Sequence, residues 1–133
     1  MFIKKQIIQI VKQYLETTNF SLEQISELCK IAKENHVYIV SGITENADGR
    51  IYNSALLISD EGEIWGKHRK INVLTGVEDV YSIGDRLSVI ETKLGKIGID
   101  ICADNAVQSL SIGHTLARMG AEIILSPCAW AVL

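Results

Sequence analysis

No apolar run in this 133-residue chain approaches the roughly 20 residues that a membrane-spanning helix needs, so no membrane partner is expected. An excess of basic residues is missing too. Lys and Arg number 13 against 16 Asp and Glu, a net charge of -3, which offers no basic face to nucleic acid or anionic lipid. The cysteines, Cys29, Cys102 and Cys128, number 3 and form no CxxC pair. An odd count without that spacing argues against a disulfide scaffold or a zinc site and for free thiols in a reducing, cytoplasmic setting. There is no P-loop, no GxGxxG and no HExxH, and His36, His68 and His114 share no metal-binding spacing. No cofactor and no metal are expected. Repeats and low-complexity segments are also absent. What remains, 47% apolar and 22% charged residues, is the mixture of a single globular domain with a real core.

Periodicity supplies the elements. Ile3, Ile7, Ile10, Val11 and Tyr14 fall on one helical stripe over residues 2–15, and the two early lysines there do not make a signal peptide because polar residues interrupt the run at helical spacing. Ser21 opens a second helix, along which Leu22, Ile25, Leu28, Cys29 and Ala32 keep the 3.6-residue period. Cys29 is thus explained as a small buried hydrophobe. From Val37 the period shortens. VYIVSGI reads as a buried strand, and NADGR as a turn. IYNSALLIS and EIWGKHR make a hairpin across Asp60, Glu61 and Gly62, and LSVIET and KIGIDI a second across Leu94, Gly95 and Lys96. Residues 71–86 between them are irregular. A helix from Asn105 to Met119, stopped at Gly120, and a buried strand AEIILSP complete an α/β layered fold with a mixed sheet. In that helix the small residues Gly113 and Ala117 are expected to pack on the chain's own core rather than on a partner. The closing SPCAWAVL is apolar where a surface terminus is usual, which suggests that the chain is cut from something larger.

Two places in this layout could carry chemistry. Cys102 ends the apolar strand in GKIGIDICADN and precedes a helix, whose N-terminal N–H groups and dipole favour thiolate over thiol. In KHRKIN, residues 67 to 72, alternate side chains face opposite sides of a strand, so one lysine can point inward toward a developing oxyanion. Glu78 and Asp79 are loop carboxylates that alone would read as solvated.

Taken together, IYNSALLISDEGEIWGKHRKIN, YSIGDRLSVIETKLGKIGIDICAD and MGAEIILSPCAW resemble the carbon–nitrogen hydrolase (nitrilase/amidase) superfamily, over about Leu28 to Val132. The resemblance implies an α-β-β-α sandwich, present here as a single partial domain over residues 1–133. It implies a hydrolase of non-peptide C–N bonds in a small amide, nitrile or carbamoyl compound, working through a cysteine thioester. It gives Cys102 as nucleophile, Lys70 as the stabiliser of the tetrahedral intermediate, the Ala103 N–H as a second oxyanion donor and Glu78 as the loop glutamate near the lysine. It also implies homo-oligomers formed through helical faces. Three departures stand out. The family's general-base glutamate, in a run resembling FPE on an early strand, has no counterpart before Ser21, since Glu16 and Glu23 lie in helical patterns. The C-terminal strands of the family's second sheet are missing. The aromatic residue usual after the cysteine is Ala103, followed by AVQS at 106 to 109. An impaired hydrolase fragment is therefore the leading expectation; a catalytically inactive assembly module or a truncated gene product is the alternative.

Overall fold

The structure, a computed structural model, describes residues 22–106 and 110–129. The helix expected over 2–15, Glu16 and the last apolar residues from Trp130 lie outside these. Helix α1 (Leu22–Asn35) is amphipathic and sets Leu28 and Ala32 on Ile39, Leu56 and Ile58 of the first sheet. Cys29 packs at the edge of this cluster, as its periodic position requires, and burial pushes its thiol pKa up. The helix stops where His36 takes a left-handed φ of 52° and the Val37 N–H reaches back to the Ala32 carbonyl at 3.0 Å.

The first sheet is an antiparallel meander of β1 (Ile39–Ala47), β2 (Arg50–Ile58) and β3 (Ile64–Arg69). Asp48 and Gly49 turn β1 into β2 with φ of 53° and 73°, the doubly left-handed pair that matches the twist of a two-residue hairpin. The expected VYIVSGI strand is therefore the first arm of a hairpin, and it runs four residues further than that apolar run. The second sheet holds β4 (Val89–Thr92), β5 (Gly95–Ile99) and β6 (Ile123–Leu125), with β4 antiparallel and β6 parallel to β5. The turn between β4 and β5 falls at Lys93–Leu94, and Gly95 already begins the strand.

The two sheets meet through Ala55 and Leu57 on one side and Ile97, Ile99 and Ile101 on the other, all buried. Helix α2 (Ser111–Arg118) covers the far side of the second sheet, with Leu116 against Gly98. The layers are thus α1, sheet, sheet, α2, the α-β-β-α sandwich that the sequence implied. The helix expected from Asn105 to Met119 is shorter. A 3₁₀ turn over Cys102–Asn105 precedes it, and α2 proper begins at Ser111. The Gly113–Ala117 pair does not pack on the core either. Ile112 and Leu116 occupy the buried face, Ala117 is exposed, and a Cβ on Gly113 would meet nothing within 4 Å. Strand β6 also departs from expectation: Ile123 and Ile124 keep 37% and 38% of their surface exposed. No described helix is long and apolar enough to cross a membrane.

Candidate active site

The site grows from the alternation along β3. Lys67 and Arg69 point to the α1 side of the sheet, where both bind the Glu45 carboxylate: Lys67 Nζ at 2.5 Å, Arg69 Nε at 3.0 Å and Nη2 at 2.7 Å. Arg69 also stacks over Tyr52, 3.9 Å above the ring centre. His68 and Lys70 point the other way and are buried, 2% and 1% exposed. What reads as a run of four basic residues is two pairs with opposite fates.

Lys70 is held at both ends. Its N–H donates to the Asn53 carbonyl at 2.8 Å, and its own carbonyl accepts from the Gly84 N–H at 2.8 Å. Only glycine fits there, because a Cβ on Gly84 would lie 2.1 Å from the Arg69 carbonyl oxygen. The loop of residues 71–86 is thereby pressed against the end of β3. It brings Glu78 to the lysine: Lys70 Nζ donates to Glu78 Oε2 at 2.5 Å. The same oxygen accepts from the Leu74 N–H at 2.9 Å, and Oε1 from Asn53 Nδ2 at 3.3 Å. Burial raises the pKa of Glu78, but the Lys70 ammonium and the other donors outweigh it and hold the carboxyl below its ordinary value. Glu78 is an ionised, multiply bonded anchor and not a solvated loop residue. Tyr81 shares a 3.4 Å hydrogen bond with Thr44 Oγ1 and ties the far end of the loop to β1.

Cys102 stands just beyond β5, half-buried, with a left-handed φ of 48°. A non-glycine residue rarely adopts that conformation, and strain of this sort collects at functional turns. The helix dipole expected to favour its thiolate is not there. Cys102 opens a four-residue 3₁₀ turn, and the eight-residue helix begins only at Ser111. Asp104, two residues on and fully buried, supplies the link between this turn and the lysine strand. Its Oδ1 accepts from the N–H of Ile71 at 3.1 Å and of Asn72 at 2.7 Å. Its Oδ2 accepts from His68 Nε2 at 2.8 Å and from the Ile101 N–H at 3.1 Å.

Of the three residues picked from the sequence, Lys70 and Glu78 are in direct contact, and Cys102 is joined to the lysine strand through Asp104. Asp104, His68 and Asn53 escaped that reading. Asp104 sits within the CADN run, and His68 alternates with Lys70, yet neither position announces a partner more than 30 residues away. Among the described residues no group of three His, Cys, Asp or Glu side chains is arranged to hold a metal ion.

A four-layer sandwich with a cysteine on a strained turn at one strand end and a buried lysine–glutamate pair at another is a protein of the nitrilase fold. The chain belongs to the carbon–nitrogen hydrolase family, which it matches over residues 9–132. Nitrilase homolog 2 of Dictyostelium discoideum is 30% identical over 131 residues, 90% of this chain and 39% of that protein. The crystal structure of a carbon–nitrogen hydrolase from Helicobacter pylori G27 superposes with a TM-score of 0.76 at 28% identity, covering 92% of this chain and 41% of the other. A mutant of the amidase from Nesterenkonia sp. AN1, carrying the acetamide moiety of fluoroacetamide on its active-site cysteine, shares the fold with a TM-score of 0.74 at 20% identity, over 83% of this chain and 42% of the other. The chain therefore spans about two-fifths of the length of these relatives.

Proposed function

We propose that this chain carries the nucleophile and oxyanion side of a carbon–nitrogen hydrolase site, which opens a non-peptide C–N bond of a small amide, nitrile or carbamoyl compound. The observation that carries the reading is the buried Lys70 ammonium, paired with Glu78 and fastened to the Cys102 turn through Asp104. An amide carbon is a poor electrophile, so a thiolate is the suitable attacker. The Cys102 sulfur would bond to the carbonyl carbon and move a pair of electrons onto oxygen. Lys70 and the Ala103 N–H would hold that charge, each contributing a few kcal/mol in a dry site. Collapse expels the amine, which leaves with a proton, and water then cleaves the thioester to acid and thiol. The acetamide borne by the Nesterenkonia amidase on its cysteine supports the same role for Cys102.

A carboxylate base must take the thiol proton and later activate the water. Glu78 is already committed to Lys70, Leu74 and Asn53, and no FPE-like run precedes Ser21. The 133-residue chain is accordingly expected to release ammonia from simple aliphatic amides slowly or not at all. Sustained turnover by the purified chain, abolished in Cys102→Ala, would show that the base is present after all.

A further inference from the structure

We propose that Asp104 is the positioning residue of this site, clamping the Cys102 turn to the strand end that carries Lys70, with His68 as its buried partner. The inference deepens the reading of Cys102 and Lys70 as one site and rests on it. The clamp is visible in how the four bonds divide. Two go to the backbone directly after Lys70, at Ile71 and Asn72. One goes to Ile101, the residue before the cysteine, and closes the turn in which Cys102 holds its left-handed φ. The last comes from His68, near the end of β3 and two residues before Lys70. A single carboxylate thus fixes both ends of the geometry that a thiol and an oxyanion-stabilising ammonium need.

The surroundings favour a charged clamp. Burial raises the Asp104 pKa, but His68 and the N–H groups of Asn72 and Ile101 outweigh it and hold the carboxyl ionised, below its ordinary range. Asp100 is the other acid buried here. Burial pushes its pKa up, only partly countered by Ser126. With Asp104 ionised, His68 Nε2 carries the donated proton, and Nδ1 has no hydrogen-bond partner among the described residues. The bonds of Asp104 run from the turn after β5 to the end of β3, and so link two sheets that share no hydrogen-bond ladder.

The test compares alkylation rates at individual cysteines, read by peptide mass spectrometry after timed exposure of the full chain to iodoacetamide. In that reaction the thiolate displaces iodide and a C–S bond forms. In the unsubstituted protein the rate at Cys102 is the reference, and the exposed Cys128 is the internal control. Asp104→Asn keeps the shape but puts an N–H where His68 and Ile101 already donate. It is expected to slow Cys102 by about 10–100-fold, the scale of a misplaced reacting group, with Cys128 unaltered. His68→Leu is expected to slow Cys102 selectively as well, and His68→Gln, which still offers an N–H to Asp104, to restore most of the rate. A purely structural role predicts the opposite pattern, with the partly buried Cys29 and Cys102 both labelling faster as the fold loosens. If Asp104→Asn does not fold, by loss of its far-ultraviolet dichroism, the two His68 variants decide. Folded variants whose Cys102 keeps the parent rate overturn the clamp alone. A Cys102 that stays unlabelled in the folded parent protein overturns both the clamp and the site reading on which it rests.

Discussion

Lys70→Met is expected to destabilise the chain by about 3 kcal/mol and to remove nearly all amide-directed reactivity of Cys102. Methionine fills the stem's volume, so packing is largely kept. What is lost is the ammonium, in a position 1% exposed, and with it the ion pair that satisfies Glu78. Breaking a buried pair from one side costs about 3–5 kcal/mol, because the surviving charge stays desolvated. Glu78 keeps 16% of its surface and two other donors, which places the change at the low end of that range. Urea unfolding followed by dichroism reads the stability. The chemical loss is separate: removing one donor from an oxyanion site costs about 10²–10³ in rate. Lys70→Met with unaltered stability would mean that the ammonium and Glu78 are not paired in solution.

The second large effect lies on the opposite face of the same strand. Glu45→Gln is expected to lower stability at neutral pH by about 2–3 kcal/mol and to flatten its dependence on acid. Arg69, then Lys67 and Ser54, hold the Glu45 carboxyl at a pKa of about 2 against burial, and its side chain is only 13% exposed. A carboxyl whose folded pKa is depressed contributes stability that is fully present above its unfolded value, near 4.5. That contribution fades as pH falls toward about 2. Urea midpoints measured across this window should drop more steeply for the parent than for Glu45→Gln. Equal slopes would show that the Arg69–Glu45 pair is exposed to solvent and screened. The effect matters to the site because Glu45 holds β3 from behind while Lys70 faces forward.

Much of this architecture was legible in the residues. The hairpin signal across Asp60, Glu61 and Gly62 marked β2 and β3, NADGR marked a turn, and the motifs around Lys70 and Cys102 pointed to the family and its sandwich. The failures have physical causes. Apolar character does not say what covers a residue, so β6 read as buried although Ile123 and Ile124 are partly exposed. Small residues at helical spacing did not say which face turns inward, and Ile112 and Leu116 took the core instead of Gly113 and Ala117. Continuous helical composition hid the break between the 3₁₀ turn at Cys102 and the start of α2. Buried polar links are harder still. Asp104 binds Ile71 and Asn72 across more than 30 residues of chain, and nothing local in CADN marks it as anything but another acid. Likewise His68 looked like one member of a solvated basic cluster until the strand's direction buried it beside Asp104.

The central claim is that Cys102 is the nucleophile of an amide-directed site in which Lys70 holds the substrate oxygen. Fluoroacetamide is a weak alkylating agent toward an ordinary thiol and carries the amide that such a site would orient. Incubation of the purified chain with it, followed by intact-mass measurement and peptide mapping, tests the claim most directly. A single acetamide adduct is expected, located on Cys102 and absent in both Cys102→Ala and Lys70→Met. An adduct on the exposed Cys128 with none on Cys102, or one on Cys102 that persists without Lys70, would contradict it.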